Sequence, residues 1–234
     1  MYFPTRRDAG GEGNQDLEPF RNQDGEFQGY FRYADHPKRV VVFFHGNAGE
    51  ALDRDWVSEL FAARDVVILV EYPGYGARRG VPTESALYEA ADNVVHEVKR
   101  RWPDARMVVM GESLGASVAS YVASRYETDR LALITPFKSA SDLAVKMYPF
   151  LPVRWMLRDK FETHEFLKRF QKPLHIVHGT LDEIVPIASS RELMSFYLGD
   201  AGNYTEVPGF NHNNIVGAIL DSPFVEDFRQ FLKN

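Results

Sequence analysis

The chain has 234 residues, 44% of them hydrophobic, so it can bury one sizeable core and is near the upper size of a single domain. Its 33 acidic residues outnumber 27 basic ones, and the formal charge of −6 argues against a nucleic-acid surface, which requires a concentrated positive field. No cysteine is present, which excludes disulfides, a thiol nucleophile and thiolate zinc sites. We expect a single domain that spans residues 1–234.

The N-terminal residues 1–26 are expected to form a partly flexible segment, because Arg6 to Asp16 is polar and rich in glycine. Asp24-Gly25, followed by alternating residues from Phe27 to Tyr33, predicts a turn into an antiparallel strand at which the ordered sheet begins. The first 15 residues contain no apolar stretch long enough for a signal peptide or a membrane-spanning helix. The sequence therefore predicts a soluble protein, with a cytoplasmic location as the expectation.

Short apolar runs alternate with stretches of helical spacing through most of the chain. The runs predict buried parallel strands at Arg39 to Phe44, Val66 to Val70, Met107 to Met110, Leu131 to Ile134 and Leu174 to Val177. Helices are predicted at Trp56 to Ala63, Glu84 to Arg101, Leu114 to Tyr126 and Ile187 to Leu198. A strand-like Tyr204 to Val207 and a helix that ends with Phe228, Phe231 and Leu232 follow. The alternation predicts an α/β fold with helices on both faces of the sheet.

Residues 138–171 interrupt this alternation, because the segment is longer than an ordinary connection and is rich in aromatic and basic residues. We interpret it as a small lid insertion over the end of the sheet. Five large side chains in or beside it are candidates for substrate binding, although packing of the lid on the sheet would explain them equally well: Phe137, Tyr148, Phe150, Trp155 and Met156. An aromatic lid would favour apolar acyl groups.

The strongest local motif is Gly111-Glu112-Ser113-Leu114-Gly115, which follows a predicted strand and precedes a predicted helix. This context is typical of a nucleophile elbow, in which the serine sits on a sharp turn and the glycines allow strand and helix to approach closely. The helix N-terminus would place backbone N–H groups where an oxyanion develops. The motif therefore predicts Ser113 as a nucleophile.

A second motif, His45-Gly46-Asn47-Ala48-Gly49, follows the strand Arg39 to Phe44. Such a loop can turn a backbone amide towards the nucleophile, and we assign the N–H groups of Asn47 and Leu114 to the oxyanion hole. The alternative is a glycine-rich turn without a catalytic part. His45 precedes the donor loop, where its ring is expected to brace the neighbouring backbone.

A serine hydroxyl needs a base within hydrogen-bonding distance, and with an elbow of this kind the base comes late in the chain, after the last strand. His212 lies on such a loop, whereas the other histidines suit packed or solvated positions. A carboxylate at a strand end must orient the imidazole. Asp182, just past Leu174 to Val177, is our candidate; Glu183, Asp200 and Asp142 are the alternatives.

The ordered combination of these motifs with Glu71-Tyr72-Pro73-Gly74-Tyr75-Gly76 resembles the Bem46-type branch of the α/β hydrolases from about Phe27 to the C-terminus. The resemblance implies an eight-stranded, mostly parallel sheet and hydrolysis of small-molecule esters, thioesters or lipids without a cofactor or metal. Many such proteins carry an N-terminal membrane anchor before a segment similar to Tyr2-Phe3-Pro4-Thr5, so membrane association is expected only of a longer, anchored form.

Two alternatives remain open from the sequence. A serine peptidase of the same fold would use the same triad, because the triad does not distinguish amides from esters. A noncatalytic binding protein could keep the fold without the activity. The oligomeric state is not predicted.

Overall fold

The computed structural model of the chain describes residues 2–5, 16–147, 150 and 156–234. The predicted flexible stretch of residues 6–15 and the candidate substrate residues Tyr148 and Trp155 lie outside the described residues.

An eight-stranded sheet forms the centre of the molecule, with strand order β10-β9-β8-β7-β4-β6-β3-β2. The strands from β10 to β6 in this order are parallel, whereas β6, β3 and β2 pair antiparallel. The bounds are β2 Glu18–Arg21, β3 Phe27–Arg32, β4 Arg39–Phe44, β6 Val66–Val70, β7 Arg106–Glu112, β8 Arg130–Ile134, β9 Leu174–Gly179 and β10 Gly202–Val207. A small separate pair consists of β1 Phe3–Pro4 and β5 Ala48–Gly49. The predicted fold class, a mostly parallel eight-stranded sheet, is confirmed.

Helices cover both faces of this sheet. The α-helices are α1 Glu84–Arg101, α2 Leu114–Arg125, α3 Ala140–Met147, α4 Thr163–Leu167, α5 Ile187–Met194, α6 Ile215–Asp221 and α7 Glu226–Lys233. Within the described ranges, the 3₁₀ helices η1 Ala51–Leu60 and η2 Pro223–Val225 accompany them. None of the helices within the described ranges is long and apolar enough to cross a membrane.

Alternate residues of each strand contribute to two separate cores, as the two-residue period of a strand requires. Val40, Val42 and Phe44 of β4 pack in the core that includes α1, α2, α4 and α5. Val41 and Phe43 of the same strand pack in the core that includes η1, α6 and α7. Because both faces are buried, the central strands appear in the sequence as continuous apolar runs.

The sheet begins earlier than predicted, because β2 pairs with β3 as an antiparallel edge strand. Pro19 in β2 is compatible with this position, since an edge strand leaves one side of its backbone without a partner strand. The helix predicted at Trp56 to Ala63 is also corrected, to a 3₁₀ helix that begins at Ala51 and is kinked at Arg54.

The carboxyl ends of the parallel strands lie at one edge of the sheet. There β4 leads into His45, β7 into Ser113, β9 into the loop that carries Asp182, and β10 into the loop that carries His212. The topology therefore brings residues that are far apart in sequence to one end of the molecule.

Candidate active site

Ser113 occupies a strained turn between β7 and α2, with φ 52° and ψ −112°. Its N–H donates to the carbonyl of Ile134 at 2.9 Å, and its carbonyl accepts from the N–H of Ala116 at 3.0 Å. A Cβ at Gly111 would collide with the backbone of Gly115, which shows why the first glycine of the motif is required. Non-glycine residues rarely adopt this conformation, and such strain is concentrated at functional sites.

Gly115 allows α2 to approach the loop of residues 45–49, which we call the oxyanion loop after the role predicted for it from the sequence. A Cβ at Gly115 would collide with the carbonyl oxygens of Phe44 and His45. Leu114 is the first residue of α2, so its N–H has no acceptor within the helix and lies at the positive end of the helix dipole. The structure thus places the amide of Leu114 beside Ser113 and close to the oxyanion loop.

Asp182 and His212 are in direct contact, because His212 Nδ1 donates to Asp182 Oδ2 at 2.7 Å. The side chain of Asp182 is fully buried, and that of His212 is 11% exposed. With Nδ1 committed to the carboxylate, Nε2 of His212 is the nitrogen available as a base. This pair has the geometry in which a carboxylate fixes the tautomer of an imidazole.

Four donors surround the carboxylate of Asp182. Its Oδ1 accepts from the N–H groups of Ile184 at 3.0 Å and Val185 at 2.7 Å, and its Oδ2 accepts from His212 and from His178 Nε2 at 3.1 Å. Burial by itself raises the pKa of Asp182, but the hydrogen bonds from both histidines and Val185 outweigh it and hold the pKa well below its ordinary value. Asp182 is therefore ionised whenever the protein is folded near neutral pH.

The loops that carry Asp182 and His212 are joined by hydrogen bonds from their backbone N–H groups. The N–H of Leu181 donates to the carbonyl of Phe210 at 2.9 Å, and the N–H of Gly209 donates to Thr180 Oγ1 at 3.0 Å. A Cβ at Gly179 would collide with the carbonyl of Phe210, so glycine permits this close approach. The two loops hold Asp182 and His212 in register.

The turn formed by residues 71–76 braces the oxyanion loop through contacts with His45. His45 is buried, with Nδ1 2.7 Å from the carbonyl of Gly46 and Nε2 3.2 Å from Glu71 Oε1. The hydroxyl of Tyr72 donates to the carbonyl of His45 at 3.0 Å. His45 thus has the bracing position predicted from the sequence, and the turn supports the loop that carries Asn47.

Arg54 connects the oxyanion loop with the elbow. Its Nε donates to Glu112 Oε2 at 2.7 Å and its Nη2 to Glu112 Oε1 at 3.2 Å, while Nη2 also lies 3.4 Å from the carbonyl of Ala48. This bidentate pair is formed at the kink of η1, where Arg54 has non-helical backbone angles. Sequence reasoning missed this residue, because Arg54 lies before the helix predicted at Trp56 to Ala63 and belongs to no motif.

The N-terminal strand β1 pairs in parallel with the oxyanion loop, with Phe3 opposite Ala48 and Pro4 opposite Gly49. The hydroxyl of Tyr2 donates to Asp159 Oδ2 at 2.8 Å, and its ring packs against Phe161. Residues 2–5 therefore link the oxyanion loop to Asp159 and Phe161 in the second half of the predicted lid insertion.

The candidate substrate-binding residues differ widely in their exposure to solvent. Phe137 is only 5% exposed and belongs to the main core, which corresponds to the packing alternative, whereas Phe150 is 97% exposed and Met156 is 68% exposed. Within the described part, a cavity of about 430 Å³ lies at the opposite edge of the sheet and another of about 280 Å³ lies at the base of the insertion. Ser113 lines neither of them.

The competing carboxylate Asp142 has a different partner. Its Oδ2 lies 3.1 Å from Nζ of Lys138, one turn earlier at the base of the insertion. Among the candidate carboxylates, Asp182 is the one that is hydrogen-bonded to His212 within the described part of the chain.

Comparisons with known proteins match this architecture. The α/β-hydrolase domain family matches residues 37–214. An uncharacterized protein of Mycobacterium tuberculosis is 33% identical over 205 residues, which cover 82% of this chain and 69% of the relative. Alpha/beta hydrolase domain-containing protein 17C of Xenopus laevis is 25% identical over 229 residues, covering 92% of this chain and 68% of that protein.

Solved structures show the same fold at low sequence identity. Est1E from Butyrivibrio proteoclasticus has a TM-score of 0.71 and 16% identity, covering 93% of this chain and 98% of that one. An esterase of Pyrococcus furiosus has a TM-score of 0.70 and 17% identity, and the match covers 99% of this chain and 96% of that one. The resemblance noted in the sequence is thereby confirmed, and the chain belongs to the α/β-hydrolase domain family.

Proposed function

We propose that this protein is a serine hydrolase that cleaves carboxylic ester or thioester bonds of apolar acyl substrates through an acyl-enzyme on Ser113. The observation that carries the proposal is the hydrogen bond of 2.7 Å between His212 and Asp182, at the sheet edge where Ser113 heads a helix in a strained turn. Base, acid and nucleophile come from three different loops, so their presence at one edge is not a property of any single motif.

In the first half-reaction Nε2 of His212 removes the proton of the Ser113 hydroxyl as Oγ attacks the acyl carbonyl carbon. The carbonyl π electrons move to oxygen, and the backbone amides of Asn47 and Leu114 stabilise that oxyanion. The tetrahedral intermediate collapses, the bond to the leaving alcohol or thiol breaks, and His212 returns its proton to the leaving group.

In the second half-reaction His212 removes a proton from water, which attacks the acyl-enzyme carbonyl and forms a second oxyanion intermediate. Its collapse releases the carboxylic acid and returns the proton to Ser113 Oγ. Asp182 remains ionised throughout and stabilises the imidazolium that forms in each half. No group outside the protein and water is required for the proton balance.

Apolar side chains near Asp182 support the choice of substrate class. Leu181 before it is 59% exposed, and Ile184 after it is 50% exposed. Phe150 and Met156 add exposed apolar surface on the insertion. Exposed apolar groups beside a site favour ligands that cover them. Phe150 and Met156 remain our substrate-contact candidates, and Phe137 is assigned to packing.

The proposal is tested by hydrolysis of p-nitrophenyl esters and acyl thioesters of rising chain length, together with labelling by a fluorophosphonate probe. We expect Ser113→Ala to lower kcat/KM by roughly 10⁴-fold or more and to abolish labelling. Ser117→Ala is the matched control, because Ser117 is a buried serine of the same helix and has no role in the mechanism.

Retained hydrolysis or labelling in the Ser113→Ala variant would overturn the proposal. Peptide cleavage at rates comparable with esters would assign the site to a peptidase instead. A folded wild-type protein that neither labels nor hydrolyses any ester would indicate a noncatalytic member of the fold.

A further inference from the structure

A second histidine contacts the acid of the proposed triad. His178 is the next-to-last residue of β9 and is fully buried. Its Nε2 lies 3.1 Å from Asp182 Oδ2 and 2.9 Å from the carbonyl oxygen of Val185. The mechanism above uses His212 and leaves this ring without a task.

The hydrogen bonds of His178 fix its tautomer. Both neighbours of Nε2 are acceptors, so Nε2 must carry a hydrogen and share it between Asp182 and Val185. Nδ1 is buried and has no hydrogen-bond partner within the described part of the chain. The hydrogen bonding of this ring is therefore directed at the loop that carries Asp182 and Val185.

We propose that His178 is a positioning residue, whose Nε2–H holds Asp182 Oδ2 in the orientation that receives His212 and shares the charge of that oxygen. The inference rests on the proposed serine-hydrolase function and deepens it. Without His178, Oδ2 would be held only by His212, the residue that must gain and lose a proton in every half-reaction.

The support for Asp182 is asymmetric, which gives His178 its importance. The two backbone donors on Oδ1 belong to the loop of Asp182 itself, so they fix the carboxylate relative to that loop. His178 belongs to a central strand that is paired on both sides, so it fixes the carboxylate relative to the sheet. Ser113 is fixed to the same sheet through β7, which makes the strand a suitable reference for the triad.

Few other charges act on this ring. Glu206 on β10 faces His178, and its carboxylate is bound by Arg191 of α5 at 2.6 and 2.7 Å. Asp182 is the titratable group that His178 contacts directly, and His212 is bound to the same carboxylate oxygen. Because variants of His178 leave all of these unchanged, a change in pH dependence reports on the hydrogen bond to Oδ2.

The experiment measures kcat/KM for a p-nitrophenyl ester from pH 5 to 9 in wild type, His178→Leu and His178→Gln, with active sites counted by fluorophosphonate titration. The acidic limb of this profile reports the base of the free enzyme. The matched control is His175→Leu. His175 is a buried histidine of the same strand, and its Nε2 lies 2.8 Å from Thr205 Oγ1 on β10 instead of binding Asp182.

In His178→Leu the full charge of Oδ2 falls on His212, which stabilises its protonated form. We therefore expect the acidic limb to move up by about 0.5 to 1 pH unit, and kcat/KM per active site at its plateau to fall about tenfold. His178→Gln, whose amide nitrogen can replace Nε2, is expected to restore the limb to within about 0.2 units. The control is expected to keep the wild-type limb.

A His178→Leu profile that superimposes on wild type overturns the inference, as does an equal shift in His175→Leu. If His178→Leu does not fold, His178→Asn replaces it, because its amide ends short of the Nε2 position while remaining polar. Activity in Ser113→Ala would overturn the proposed function itself, whereas an inactive Ser113→Ala with an unshifted His178→Leu overturns only this inference.

Discussion

The hydroxyl of Tyr75 lies 3.0 Å from both oxygens of Asn47, its backbone carbonyl and its side-chain amide oxygen. A residue of one turn thus determines how the oxyanion loop presents its backbone. Replacing Tyr75 by Phe removes both hydrogen bonds and keeps the buried ring. We expect kcat to fall about tenfold with little change in KM, because the proposed oxyanion contacts strengthen only in the transition state.

The measurement is steady-state hydrolysis of a p-nitrophenyl ester, with the free energy of unfolding determined in urea. The expected loss of stability is about 1 kcal/mol, the net value of a hydrogen bond. Tyr126→Phe is the matched control, because its hydroxyl donates to Asp92 at 2.8 Å, away from the loop. Equal activities in the two variants would contradict the role of Tyr75.

Asp182→Asn is expected to lower kcat by about 10³–10⁴-fold without unfolding the protein. The amide would present N–H groups where His212 and His178 now donate, so His212 would change tautomer and lose its basic Nε2. Asp142→Asn is the control, since that carboxylate pairs with Lys138. A loss of activity in Asp142→Asn and none in Asp182→Asn would reverse the assignment of the acid.

Ser113→Gly is expected to be more stable than Ser113→Ala by about 1 kcal/mol, although both lack the nucleophile. The turn has φ 52°, which glycine adopts without the steric cost that a Cβ incurs. The entropy that glycine has in the unfolded chain offsets part of this gain. Urea unfolding of both variants decides the matter, and a less stable glycine variant would show that the turn stores no strain.

His175 makes stability depend on pH. Burial lowers its pKa to about 4 from an ordinary value of about 6.5, and only the charge of Asp227 opposes this. Above pH 6.5 the imidazole of His175 is neutral in both the folded and the unfolded state, so it does not change the free energy of unfolding. As the pH falls from 6.5 towards 4, the unfolded chain binds a proton that the folded protein does not, so stability is lost.

We expect His175→Gln to reduce the loss of unfolding free energy between pH 7 and pH 5 by on the order of 2 kcal/mol relative to wild type. His36→Asn is the control, because the side chain of His36 is 96% exposed. Urea unfolding at both pH values provides the comparison. An identical pH dependence of the unfolding free energy in wild type and His175→Gln would show that burial does not lower the pKa of His175.

The elements predicted best from the sequence are those whose ends are marked by local signals such as capping residues. Helix α1 begins and ends where it was predicted, because Thr83 caps its N-terminus by accepting the N–H of Ala86 at 3.1 Å, and three basic residues follow in its last turn. The central strands were equally clear, since a continuous apolar run suits a strand buried on both faces.

Tertiary contacts decided the remainder. Helical spacing alone could not reveal that Arg54 binds Glu112 and interrupts η1, and a proline in β2 concealed an edge strand. The supporting contacts of Tyr75 and His178 were also missed, because each joins residues whose proximity depends on how loops meet at the sheet edge. The available signals were the strand-end position of His178 and the tyrosines of the turn that follows β6.

The pairing of β1 with the oxyanion loop bears on how the protein is fused or tagged. Phe3 lies opposite Ala48 and Tyr2 contacts Asp159, so a polypeptide fused ahead of Tyr2 starts from a segment that is paired with the oxyanion loop. The last helix ends elsewhere: the carbonyl of Leu232 accepts from Arg39, the first residue of β4, at the opposite edge of the sheet. Affinity handles and immobilisation linkers for the assays above therefore belong after Asn234.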